Sequence, residues 1–242
     1  MAKLELVKRS PLRILEKSIH GGLGKGNIGV IASREGMGKT ACLVQIATDK
    51  LFQGKHVIHV SYSSRVDYII NWYKNIFKEI SKKRNLESAI KIHDEIIKNR
   101  VIMNFKQEGA RTEQVLKSLE AMIVHGHFEA DTVIVDGYDF SQSTPQDLRL
   151  FKDFAGRLGL EVWFSAPLKG DEPLFDENRL PLLLIKFLEE IAVLITLSSQ
   201  DEYVKLHLIK DHDYPSPAEL QLKLDPNTLL ITEDIEKGDS PF

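Results

Sequence analysis

Residues 28 to 40, Ile-Gly-Val-Ile-Ala-Ser-Arg-Glu-Gly-Met-Gly-Lys-Thr, constrain the fold more than any other stretch of the chain. Ile28 to Ala32 predict a buried strand, the residues up to Gly38 a tight glycine-containing loop, and Lys39-Thr40 the opening of a helix continued by Leu43, Ile46 and Ala47. A strand, a glycine loop and a helix N-terminus in that order form a cradle for phosphates. Backbone N–H groups and the positive end of the helix face the anion, the lysine reaches the β- and γ-phosphates, and the hydroxyl holds Mg²⁺. Ser33 stands where the full pattern has glycine. The expected nucleotide contacts are Ser33, Arg34, Glu35, Gly36, Met37, Gly38, Lys39, Thr40 and Ala41. Lys39 is also the expected catalytic cation, and Thr40 the first ligand of Mg²⁺.

Strands and helices alternate through the rest of the chain. A short helix over 11–20 ends at Gly21-Gly22. After the loop helix, His56 to Ser61 predict a second strand. Two amphipathic helices follow, one on Val66, Ile69, Ile70, Tyr73, Phe77 and Ile80, the next on Leu86, Ala89, Ile90, His93, Ile96 and Ile97. His93 on that apolar face reads as a packed core histidine. Between residues 74 and 100 eight Lys/Arg stand against four Asp/Glu, which a solvated helix face explains because no aromatics interleave with them. Arg100 to Phe105 is a third strand, and Thr112 is expected to cap a helix on Val115, Leu116, Leu119, Met122 and Ile123. Asp131 to Asp136 is a strand, Thr144-Pro145 a helix start running to Gly156 or Gly159, and Glu161 to Ser165 another strand. A loop from Ala166 to Asn178, a helix from Pro181 to Glu190 and a strand from Ala192 to Leu197 come next. Tyr203–Ile209, Glu219–Leu224 and Leu229–Thr232 predict short closing strands, and 233–242 a polar, frayed tail. The expected architecture is one α/β domain over residues 1–232, a mostly parallel sheet covered by helices, with short antiparallel strands at its C-terminal end.

Composition narrows the function. A hydrophobic content of 43% and a charged content of 28% belong to a globular domain, and a net charge of −3 gives no global attraction to nucleic acid or to an anionic membrane. The single cysteine, Cys42, reads as a small core residue. The first eight residues alternate in charge, unlike a signal-peptide core, and no apolar run approaches the roughly 18 residues of a membrane span. The expectation is a cytoplasmic protein with no membrane partner.

Asp136 closes the apolar or β-branched run Thr132 to Val135, about a hundred residues and two strands after Lys39. A carboxylate there is placed to orient Mg²⁺ through water, which makes Asp136 the second metal residue.

With that carboxylate the chain resembles the RecA-like ATPases, nearest the branch of DnaB-type helicases and KaiC-type proteins. The resemblance covers roughly residues 18 to 232. It rests on Gly21-Gly22-Leu23-Gly24-Lys25-Gly26, on Ala32 to Thr40, on Asp131 to Asp136 and on Leu208-Ile209-Lys210-Asp211-His212. It implies ATP with Mg²⁺, a sheet with the Val162–Ser165 strand between those of the loop and of Asp136, and homo-oligomeric rings or filaments with nucleotide at subunit contacts.

Three departures bear on activity. The family's second strand ends with a glutamate that activates the attacking water; here Ser63 or Ser64 stands in its place, and a serine hydroxyl is no comparable base. The family's late Lys-x-Arg supplies positive fingers to a neighbour's γ-phosphate; here Lys210 remains, as an expected nucleotide contact, and His212 replaces the arginine. In DNA-handling members the loops after the Asp136 and Ser165 strands touch DNA. The first, Gly137 to Thr144, lacks Lys and Arg and carries Asp139, and the second sets Asp171, Glu172, Asp176 and Glu177 against Lys169 alone. DNA is therefore not an expected partner. Among Glu35, Asp67 and Asp139, the last is the best substitute for the missing base, because its loop leaves the sheet on the nucleotide side.

Two functions compete. One is an ATP-binding module with slow or absent hydrolysis, acting in assembly or regulation with a client that no motif identifies. The other is an active ATPase of DNA replication, recombination or repair with a non-standard base. A small-molecule kinase fits less well, for want of an arginine-rich lid, and a GTPase lacks its Asn-Lys-x-Asp stretch.

Overall fold

The computed structural model describes residues 2–63, 65, 67–84, 89–106, 111–170, 173–214 and 219–234. Ser64, Val66, Leu86, Asp171, Glu172 and 235–242, which figure in the expectations above, lie outside the described residues. The chain opens with helices α1 (Ala2–Lys8) and α2 (Leu12–Ser18), then β1 (Ile28–Arg34), α3 (Lys39–Phe52) and β2 (Val57–Ser61). Helices α4 (Asp67–Lys83) and α5 (Ala89–Ile96) lead to β3 (Arg100–Asn104), α6 (Thr112–Glu120), β4 (Thr132–Asp136), α7 (Pro145–Leu158) and β5 (Glu161–Leu168). Strands β6 (Ile191–Ser199), β7 (Val204–Asp211), β8 (Leu222–Leu224) and β9 (Ile231–Glu233) finish the sheet.

All nine strands form one sheet in the order β3-β2-β4-β5-β1-β6-β7-β8-β9. The first six are parallel, and β7, β8 and β9 are added antiparallel. The parallel centre explains the sequence pattern: β2 and β4 are buried at every residue because helices cover both faces, so their runs are apolar rather than alternating. One face packs against α3, α4 and α5, the other against α6 and α7. On the second face Phe151 and Phe164 meet edge-on at 5.0 Å, and Phe140 and Phe187 at 5.2 Å. Gly29, opposite Trp163 in the β1–β5 register, admits the indole over the sheet; a Cβ there would lie 2.5 Å from Cε3. Cys42 is fully buried in α3, and burial pushes its thiol up to about 12, which makes it an inert core residue. Among the described residues no helix is long and apolar enough to cross a membrane.

The topology positions the site. β5 lies between β1 and β4, the order expected for the Val162–Ser165 strand. After β1 the chain leaves through α3 toward β2, whereas after β5 it passes to β6 on the other side of β1. The two loops therefore diverge from neighbouring strands and leave a crevice at their C-terminal ends, the place where open parallel sheets bind ligands.

Several elements differ from expectation. The segment 181–190 forms only a 3₁₀ turn, Leu182–Phe187, because the buried anchors Leu184 and Phe187 are three apart, the period of that helix. β5 runs to Leu168, since Ala166 and Leu168 are buried against the second face, so the following loop starts at Lys169. α6 ends at Glu120 and passes into a wide turn, Ala121–His125, closed by Gly126 N–H on Ala121 O at 2.8 Å. Thr112 is not the cap of α6: Arg111 holds that position, and the Thr112 hydroxyl pairs with the Tyr138 hydroxyl at 3.3 Å. α5 buries Ile92 and Ile96 and leaves Ile90 80% exposed, so His93 is a half-buried flank against Phe77 rather than a core residue. Glu233 and Asp234, expected in the tail, belong to the sheet edge; Glu233 pairs with Leu222, and Asp234 meets Lys223 at 3.1 Å. Thr144 caps α7 as expected, Asp147 makes that cap reciprocal, and the helix ends at Gly159.

Candidate functional site

The crevice between β1 and β5 opens into a cleft of about 500 Å³. Its floor is the loop Glu35 to Gly38 and the first turn of α3. Gly38 sits at the N-cap with φ 94°, a left-handed conformation that favours glycine, and a Cβ there would lie 2.3 Å from Leu224 Cδ2, so a larger residue would also have to displace that side chain. Gly36 and Gly38 line that floor, Met37 packs its side chain on the core below, and Ala41 is fully buried in α3.

Lys39 is 8% exposed. Its ammonium donates to Ser33 O at 2.9 Å, Arg34 O at 2.7 Å and Ser33 Oγ at 3.2 Å, folding back over the start of the loop. Burial pulls its pKa down to about 8, against the opposing charge of the Asp136 and Glu35 carboxylates. Ser33 is itself fully buried and gives the lysine two oxygens that a glycine would halve.

Asp136 ends β4 beside α3. Thr40 Oγ1 donates to its Oδ2 at 2.9 Å and Ser165 Oγ to its Oδ1 at 2.6 Å; Ser165 in turn accepts from Gly137 N–H at 2.7 Å. Burial pushes the carboxyl above the usual range, and the bonds from Ser165 and Thr40 and the charge of Lys39 oppose that. The hydroxyl and carboxylate are hard oxygen donors held side by side, a set that suits Mg²⁺.

The remaining wall comes from residues that motif reading did not single out. Ser61, Tyr62 and Ser63 lead from β2, and Tyr68 and Trp72 face them from α4 in an edge-on pair 6.3 Å apart. Pro167, Lys169 and Leu229 complete the rim. Ser165 had a legible signal: in a parallel sheet the polar end of the strand beside β4 must lie beside Asp136. Tyr68, Trp72 and Leu229 had none: Tyr68 and Trp72 are outside the set of residues that defines the apolar face of their helix, and Leu229 reads as the start of a closing strand.

Other predicted residues stand apart. Asp139 does not line the cleft; its Oδ1 accepts from Ser141 N–H at 3.0 Å and Ser141 Oγ at 2.6 Å, which turns it into its own loop. Asp67 is exposed and ion-paired with Arg65 at 2.9 Å. Lys210 lies at the opposite end of the sheet, donating to Leu188 O and Ile191 O at 2.6 Å each. His212 is bound there too, to Asp211 Oδ1 at 2.7 Å and Leu23 O at 3.1 Å. Arg34 lends its carbonyl to Lys39 while its side chain is at the exposed end of β1. Ser63 lines the cleft, and its hydroxyl accepts from Arg65 N–H at 3.2 Å. Among the described residues on the wall, the carboxylates are Glu35 and Asp136.

No protein-family model matches this chain. No curated protein matches its sequence.

Proposed function

We propose that this chain is a RecA-like ATP-binding protein that holds ATP with Mg²⁺ at the Lys39–Thr40–Asp136 cleft and hydrolyses it slowly or not at all. The observation that carries the reading is the joining of Thr40, Asp136 and Ser165 by two hydrogen bonds beside a buried lysine at a helix N-terminus. The loop amides and Lys39 would hold the phosphates, and Thr40 with Asp136, partly through water, would hold Mg²⁺. The bound cation supplies charge neutralisation at the phosphates. Asp136 is tied by both oxygens and sits where a cation offsets the cost of its burial.

Weak turnover follows from what surrounds the phosphates. Ser63 is no general base, Asp136 is a ligand, and Glu35 faces Lys169 at 3.3 Å. The alternative of an active ATPase with Asp139 as base draws no support from the orientation of that side chain. A protein that binds ATP without rapid turnover acts through its bound state, here as an assembly or regulatory module in a homo-oligomer; the preference for adenine rests on the resemblance.

Calorimetric ATP–Mg²⁺ binding, measured beside steady-state hydrolysis for the wild type and Lys39→Ala, tests the reading. Binding lost in the variant with no turnover above its background supports it. Turnover abolished by Lys39→Ala establishes an enzyme instead, and absence of binding overturns the nucleotide assignment.

A further inference from the structure

The crevice between β1 and β5 is bridged at its mouth by two charged side chains that the phosphate-loop pattern does not include together. Arg34 pairs with Leu168 at the end of the β1–β5 ladder, so Glu35 and Lys169 are the next residues on each strand as the chains diverge. Lys169 Nζ lies 3.3 Å from Glu35 Oε1, and the side chains are 63% and 67% exposed. Both residues line the cleft. Glu35 and Lys39 line the same cleft, so the carboxylate paired with Lys169 also adds negative charge to the phosphate-loop side where a polyphosphate is to enter.

An exposed ion pair of this kind is held weakly, because water screens both charges. A triphosphate carries more charge than a carboxylate and offers more oxygens, so it outcompetes Glu35 for the ammonium. Lys169 directly follows the strand that carries Ser165, and Ser165 touches Asp136, so Lys169 leaves the sheet on the side where the terminal phosphate and its cation belong.

We propose that Lys169 is a second phosphate-binding cation of this cleft, held in reserve by Glu35 and transferred to the terminal phosphate when a nucleoside triphosphate enters. The inference rests on the nucleotide-binding reading above. It supplies within one chain a positive charge near the terminal phosphate, where Lys210 and His212 are occupied at the far end of the sheet. Glu35 is then a competitor for the anion and not a base.

The test is calorimetric titration of ATP–Mg²⁺ and of ADP–Mg²⁺ into the wild type, Lys169→Ala, Lys169→Arg, Glu35→Gln and Lys39→Ala. Urea unfolding of each serves as the folding control. Loss of one charge-assisted contact predicts that Lys169→Ala weakens ATP binding by about tenfold or more and ADP binding by less than about threefold. Lys169→Arg keeps the discrimination, and Glu35→Gln tightens ATP binding by removing the competing carboxylate. Unchanged ATP affinity in Lys169→Ala, an equal loss for both nucleotides, or weaker ATP binding in Glu35→Gln overturns the inference while leaving the cleft a nucleotide site. A wild type that binds neither nucleotide, or a Lys39→Ala variant that binds as well, overturns both.

Discussion

Thr40 Oγ1 donates to Asp136 Oδ2 at 2.9 Å, joining two residues 96 positions apart. The bond couples the first turn of α3 to the end of β4, and Ser165 completes it from β5. Three neighbouring elements thus meet on one buried carboxylate, whose position governs both stability and the metal chemistry proposed for the cleft.

Thr40→Val keeps the shape and removes the donor. A buried bond to a carboxylate is worth about 1–3 kcal/mol, so stability in urea falls by that order. Mg²⁺ also ceases to tighten ATP binding, which titration with and without the metal will measure. A variant that retains the full effect of Mg²⁺ removes Thr40 from the metal set.

Gly29→Ala places a methyl group 2.5 Å from the Trp163 ring inside the sheet. Overpacking of this kind costs about 1–3 kcal/mol. Combined with Trp163→Leu, the alanine is tolerated better than the two separate losses predict, because the clash partner has gone. Additive losses in a double-mutant cycle exclude that contact as the cause.

His59 is fully buried in β2, with Nδ1 3.1 Å from the Tyr73 hydroxyl. Burial, reinforced by the charge of Arg100, holds the imidazole down to about 3 from its ordinary 6.5. Above pH 6.5 the ring is neutral in both the folded and unfolded chain and exacts no penalty. As pH falls below 6.5 the unfolded chain takes up a proton that the folded chain refuses, so stability declines; at pH 5 the loss is about 2 kcal/mol. His59→Gln, which does not titrate, flattens the pH dependence of the urea midpoint between pH 7 and pH 5. An unchanged slope assigns the acid sensitivity elsewhere.

Thr144 and Asp147 cap α7 reciprocally: Thr144 Oγ1 accepts from Asp147 N–H at 3.3 Å, and Asp147 Oδ2 accepts from Thr144 N–H at 2.8 Å. Thr144→Ala lowers unfolding free energy by about 1 kcal/mol, and Thr144→Ser restores most of it. Equal stability of all three in thermal melts means that the cap contributes nothing net.

Legibility followed the range of the interaction. The strand–loop–helix of residues 28–40, the apolar run before Asp136 and the cap at Thr144 are local patterns, and each appears in the structure where the residues place it. The errors lie where tertiary packing chose between local options. Leu184 and Phe187 select a 3₁₀ turn from a segment equally apolar as an α-helix, and the single covered side of α5 rotates Ile90 outward. Asp139 read as a substitute base from its place in the chain, but a local bond to Ser141 turns it away.

The amino-acid order alone determined that a glycine-containing loop opens α3, that a carboxylate ends a buried strand, and that parallel strands alternate with helices. Periodicity, glycine placement and caps act over a few residues and leave their mark in every short window. Only the tertiary structure decided that Tyr68 and Trp72 wall the cleft and that Glu35 meets Lys169 across its mouth. Those partners come together because the loops after β1 and β5 diverge in opposite directions, a relation between strands 134 positions apart at Gly29 and its partner Trp163 that no short stretch of sequence can carry.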